Sequence, residues 1–144
     1  MFWQDKFSIQ SEGRGTYEIT QTLDTMVKGS GVQKGLCHLF IQHTSASLIM
    51  SENADPDVRV DLETFMSKIC PDGDPMFVHR AEGDDDMPAH IRSVLTQTEL
   101  TIPVWDGCLA MGTWQGVFLW EHRTHLHNRN IIVSIYGQDN GHGQ

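Results

Sequence analysis

The chain has 144 residues, enough for one sizeable hydrophobic core and too few for two comfortable ones. Its 19 acidic side chains against 10 basic ones, a formal charge of −9, argue against a nucleic-acid binder, which must neutralise phosphates with clustered Lys and Arg. The opening MFWQDKFSIQ lacks the basic start and apolar run of a secretory signal, no stretch is apolar enough to span a bilayer, and the widely spaced Cys37, Cys70 and Cys108 suit free thiols, so a cytoplasmic protein is expected.

Residues 3–9 alternate, with Phe7 and Ile9 on one side, and predict a first strand; Gly13 and Gly15 then turn the chain into a second over 14–20. Leu23, Met26 and Val27 predict a short helix over 21–27, stopped by Gly29 and Gly31. Residues 36–43 read as a strand with Cys37, Leu39 and Ile41 on one face. After the polar corner Thr44-Ser45, the run Leu48-Ile49-Met50 predicts another, paired strand.

Asp55-Pro56-Asp57 is a helix start: a capping Asp, a Pro in the first turn and negative charge at the positive helix end. Val58, Leu62, Phe65, Met66 and Ile69 share one face of that helix, which should end before Pro71. A second helix is predicted from Asp86-Met87-Pro88, with Met87, Ile91, Val94 and Leu95 as its buried stripe and His90 at the stripe's edge. Three strands are expected over 100–104, 116–122 and 131–136, and the Gly- and Gln-rich tail from about residue 138 is expected to fray. The pattern is a single compact α+β domain over residues 1–144, mostly antiparallel sheet with two main helices.

Three segments carry candidate chemistry. The first is His43-Thr44-Ser45-Ala46-Ser47, leading to Glu52; its hydroxyls can donate to phosphate or simply build the turn, and His43 alternates onto the core face. The second is Glu82-Gly83-Asp84-Asp85-Asp86-Met87-Pro88-Ala89-His90, where carboxylates cap a helix and His90 follows one turn in; Asp85 with an imidazole so placed can bind a metal or orient the ring. The third runs from Gly112-Thr113-Trp114-Gln115-Gly116 to Glu121-His122-Arg123. Phe118, Trp120 and His122 share one strand face there, so Glu121 and His122 cannot both enter one pocket without a bulge. Neutral imidazoles suit zinc, and catalytic zinc commonly has three protein ligands plus water, which makes His43, His90 and His122 candidate ligands. His125, His127 and His79-Arg80 read either as solvated edges or as further ligands.

HTSASL, ENADPDVRVDLE, EGDDDMPAHI and GTWQGVFLWEHR, in this order, resemble the YjbQ family, described as having a secondary thiamine-phosphate synthase activity; the resemblance runs from about Phe7 to Gly137. It implies a small α+β fold assembled as a homotrimer, with His43, His90 and His122 as metal or active-site histidines of one pocket. Glu52, Asp85, Trp114, Gln115, Glu121 and Arg123 lie in the same motifs, and Thr44, Ser45 and Ser47 in the first. The implied reaction joins hydroxymethylpyrimidine diphosphate to a thiazole phosphate and releases diphosphate, whose departing charge needs arginines or Mg²⁺. Two other classes remain open: a zinc-type hydrolase or lyase built on the histidines, and a non-catalytic trimeric module that binds a metabolite.

Overall fold

The structure, a computed structural model, describes residues 1–139. Its elements in chain order are β1 (Phe2–Glu12), β2 (Gly15–Glu18), α1 (Thr20–Ser30), β3 (Lys34–Ile41), β4 (Ala46–Glu52), α2 (Pro56–Ile69), α3 (Asp86–Leu95), β5 (Glu99–Trp105), β6 (Cys108–Leu109), β7 (Gln115–Glu121) and β8 (Leu126–Gln138). They form an antiparallel five-stranded sheet, β1-β8-β3-β5-β6, and a three-stranded sheet, β2-β7-β4. The α+β class and the antiparallel character expected from the sequence are present.

One core joins both sheets. Cys37, Leu39 and Ile41 of β3 meet Ala46 and Leu48 of β4, Val117 and Leu119 of β7, and Ile131, Val133 and Ile135 of β8, with Leu23 and Val27 of α1 among them. Each fully buried aliphatic side chain contributes roughly 1.5–3 kcal/mol by leaving water. This is why the alternating runs read so clearly in the sequence.

Several boundaries differ from expectation. Gly29 lies inside α1 rather than ending it; Gly31, at φ 77°, is the left-handed cap. β1 and β8 are longer than predicted because each residue of β1 pairs along β8, from Phe2↔Tyr136 to Glu12↔Leu126. Beyond Tyr136, β8 continues through Gln138 by pairing with Gly35 and Lys34 of β3, and residues 140–144 of the tail expected to fray lie outside the described residues.

The helices are rotated from their predicted faces. Asp55 caps α2 as expected, its side chain accepting from Asp57 N at 2.9 Å. Of the predicted α2 stripe, however, only Met66 is buried, whereas Phe65 is 62% exposed. What α2 turns inward is polar: Arg59 lies over the Phe118 ring, and Glu63 accepts from Trp120 Nε1 at 2.8 Å. In α3, Val94 and Leu95 are exposed, and the buried face is Asp86, Pro88, Ala89, Arg92 and Ser93. Arg92 reaches Glu63 Oε1 at 2.5 Å, so the two helices meet through a half-buried ion pair rather than an apolar seam.

Candidate functional site

The chain end of β7 and the corner after β3 are held by one buried carboxylate. Glu121, fully buried, accepts from Ser11 Oγ at 2.5 Å, from Arg123 N at 3.1 Å and from Arg129 Nε at 2.8 Å, and is further paired with Arg129 Nη2. Arg129 and Ser11 bonding hold its carboxyl below the usual carboxylate range against the opposing cost of burial. Arg129 also donates to the carbonyl and hydroxyl of Ser45 and sits with Nη1 3.4 Å from His43 Nδ1.

His43 Nε2 accepts the backbone N–H of Asn130 at 2.8 Å. Its lone pair there is taken, so the ring proton resides on Nδ1. Burial, then the Arg129 charge, lower the His43 pKa and favour this neutral form.

A second cluster lies at the start of α3. Arg123 donates to Asp85 Oδ2 at 2.9 Å, to Asp86 Oδ1 at 2.8 Å and to the Glu82 carbonyl at 2.9 Å. Thr124 adds two bonds to Asp85. These donors hold the Asp85 carboxyl well below its ordinary range although burial opposes it. Asp86, 1% exposed, turns its other oxygen, Oδ2, to two imidazoles: His79 Nε2 at 2.7 Å and His90 Nε2 at 3.2 Å. His90 Nδ1 donates to the Thr44 carbonyl at 3.0 Å, tying this cluster to the His43 corner. His43, Thr44, His90, Ser93, Val94 and Thr98 together line an open depression of about 310 Å³.

The residues singled out in the sequence therefore separate. His43, Thr44 and His90 meet at the depression; Ser45, Asp85, Glu121 and Arg123 brace its surroundings. His122 is elsewhere: it has no exposed surface, its Nε2 bonds Ser47 Oγ at 2.8 Å, its ring lies 5.1 Å from that of Trp120, and its Nδ1 has no hydrogen-bond partner. Burial, with Arg92, Arg14 and Arg129 nearby, pushes its pKa down to about 3. The Ser47–His122 pair has the spacing of a nucleophile and its base, but both are sealed from solvent, which makes it an interior bond.

The structure does not bring the expected metal set His43, His90 and His122 together. His43 has its Nε2 lone pair engaged, His122 is in the interior, and among the described residues the three-residue donor group that converges is His79, Asp86 and His90. Glu52, Trp114 and Gln115 are also remote from the histidines. The β4–β7 register pairs Ala46 with Glu121 at one end and Glu52 with Gln115 at the other. Six residue steps separate these ends, about 20 Å at 3.3 Å per residue. Glu52 there accepts from Asp55 N, and Gln115 Oε1 from Gly112 N.

The YjbQ-like UPF0047 family matches residues 5–138. The chain belongs to this family. A UPF0047 protein of Synechocystis is 48% identical over 94% of this chain and 92% of its own length. UPF0047 protein YjbQ of Escherichia coli is 42% identical over 96% and 100%. An uncharacterised YjbQ/UPF0047-family protein of Clostridium acetobutylicum, solved by crystallography, superposes with a TM-score of 0.83 at 30% identity, covering 92% of this chain and 99% of that one. A conserved hypothetical protein of Thermus thermophilus gives 0.82 at 30% identity, over 92% and 99%.

Arg129 and Asp86 receive no site role of their own from the sequence, which leaves His79 open between a solvated edge and a ligand. Asp86 and His90 stand four apart on one helix, a spacing that puts side chains on the same face. That signal was available once the helix start was placed at Asp86. His79 sits in a loop, where no periodicity points to it.

Proposed function

We propose that this chain is an enzyme acting on a phosphorylated small molecule in the depression between His43 and His90, and that the family's described reaction, joining hydroxymethylpyrimidine diphosphate to thiazole phosphate with release of diphosphate, is the activity to expect. The observation that carries this reading is that His43 and His90, from two separate motifs, line one open depression while their backs are fixed by backbone groups, Asn130 N and the Thr44 carbonyl. Preorganised rings of this kind lose little order when a ligand arrives. Val94, 83% exposed, offers an apolar wall for a heteroaromatic ring in a depression whose exposed lining is predominantly apolar.

The leaving diphosphate requires positive charge. Arg129 is committed to Glu121, and Arg123 to Asp85 and Asp86. A cation brought in from solution, such as Mg²⁺ on the diphosphate, fits the reading better than an arginine clamp. The test is incubation of the purified chain with both precursors and Mg²⁺, following thiamine phosphate by mass. Turnover that falls at least tenfold in both His43→Gln and His90→Gln supports the proposal, and absence of product, or turnover in both variants equal to that of the unaltered protein, refutes it.

The same reading has the chain assemble as a homotrimer in the cytoplasm. No helix among the described residues is long and apolar enough to cross a membrane. Val60, Phe65, Ile69, Val94 and Leu95 put apolar groups on the outer faces of α2 and α3, which supports self-association. Sedimentation equilibrium at the mass of one chain would oppose it. A metal-dependent hydrolase or lyase at the same depression is the second reading, favoured by the convergence of His79, Asp86 and His90. A ligand that binds and is never turned over would instead indicate a binding module.

A further inference from the structure

The structure assigns a divalent-metal site, of the zinc type, to His79 Nε2, Asp86 Oδ2 and His90 Nε2. The argument begins with His90. Its Nδ1 faces the Thr44 carbonyl at 3.0 Å, and a carbonyl can only accept, so Nδ1 carries a proton. In the neutral ring the lone pair is then on Nε2, aimed at a carboxylate oxygen 3.2 Å away. Two lone pairs facing one another at that distance require a positive centre between them, either a second proton or a metal ion. His79 Nε2 points at the same oxygen from 2.7 Å, so three donors crowd one small space, all within 4.8 Å of each other.

The spacing fits zinc. Bonds of about 2.0–2.1 Å arranged tetrahedrally put neighbouring donor atoms roughly 3.3 Å apart. The observed 3.2 Å already matches this spacing, and the 2.7 Å contact must open by about 0.6 Å to admit the ion. Histidine and carboxylate donors are those that zinc and similar divalent ions take up.

The surroundings fit a metal centre as well. Metal-bound histidines usually donate their other N–H to a carbonyl or carboxylate, as His90 does to Thr44. Asp86 is fixed from behind by Arg123 on its second oxygen at 2.8 Å. The carboxylate is buried, while the His79 side chain is 45% and the His90 side chain 30% exposed, so three protein donors leave an open side toward solvent. Three ligands with an open position mark catalytic rather than structural zinc. His90 also lines the depression, so an ion here supplies positive charge at its edge. That use of the ion rests on the preceding reading of the depression as a substrate site; the binding of the ion does not.

The test is calorimetric titration of zinc into full-length protein freed of metal by dialysis against a chelator, with cobalt titration read by its visible absorption. One zinc per chain with micromolar or tighter affinity is expected, together with a cobalt band of low-symmetry coordination. His79→Ala, on an exposed loop where folding is not at stake, should weaken zinc at least tenfold; His90→Ala should do the same. His122→Gln and His43→Gln should bind as the unaltered protein does. No binding, or His79→Ala and His90→Ala titrating like the parent, overturns the site. Zinc binding without thiamine phosphate production would refute the proposed reaction and leave the metal site standing.

Discussion

Replacing His122 by Gln should flatten the acid side of the stability profile. The folded imidazole ionises near pH 3, whereas in the unfolded chain it ionises near 6.5. Burial is the main cause, and the charges around it, Arg92, Arg14 and Arg129, push in the same direction. Above pH 6.5 both states hold the ring neutral and its contribution is fully present. As pH falls below 6.5 the unfolded chain takes up a proton that the folded chain refuses, so stability declines until the folded pKa is reached. The slope is about 1.4 kcal/mol per pH unit. Between pH 6 and pH 4.5 the unaltered protein should lose about 2 kcal/mol more than the variant. Urea denaturation of both proteins at half-unit steps reads this directly. The variant will be less stable at pH 7, having lost its fit to Ser47, but the level is immaterial; only the difference in slope tests the reasoning. Parallel curves for the two proteins would mean that His122 is accessible or charged in the folded state, and the account of it as a sealed interior ring would fail.

Glu121→Gln should cost about 3–5 kcal/mol in denaturant unfolding, because it leaves the buried Arg129 without its countercharge; a loss below 1 kcal/mol would mean that Arg129 is solvated. Gly116→Ala should destabilise by about 1–3 kcal/mol, since the added carbon would lie 2.8 Å from both Asn53 Cβ and Glu18 Oε2. Arg123→Lys removes the fork that holds Asp85 and Asp86 together, and zinc affinity should fall roughly 10- to 100-fold with the far-ultraviolet circular dichroism unchanged; undiminished affinity would show that Asp86 needs no brace.

Where apolar residues meet apolar residues the sequence is a good guide. The alternation of Cys37, Leu39 and Ile41 and the capping chemistry of Asp55 translate directly into β3 and α2. The same logic misplaces the faces of α2 and α3, because what they bury is charge. Arg92 is fully buried against Glu63, and Glu63 also takes Trp120 Nε1. Hydrophobic periodicity cannot anticipate such a contact, since it counts Arg and Glu as solvent-facing. Asp85 and Asp86 are indistinguishable in a run of three aspartates, and only the phase of α3 tells which one faces His90. Arg129 was hidden for another reason: its partners, Glu121, Ser45 and His43, become neighbours only when β8 is laid beside β3.

The segment Glu121-His122-Arg123 shows what that difference means for function. Read as a motif, it suggests three groups serving one site. In the fold, consecutive residues at a strand end diverge, and each does separate work. Glu121 turns to Arg129 and so braces the His43 corner; His122 turns inward to Ser47; Arg123 clamps the two aspartates at the start of α3. None of the three lines the depression itself. Their arrangement is that of a frame: two buried ion pairs fix the corner after β3 and the start of α3, the two elements that carry His43 and His90. A frame of this kind tolerates little change in geometry, because each pair left half-made is an unpaired buried charge. The recognisable residues of such a motif can therefore be the support of a site whose working groups, His79 among them, lie in segments with no pattern of their own.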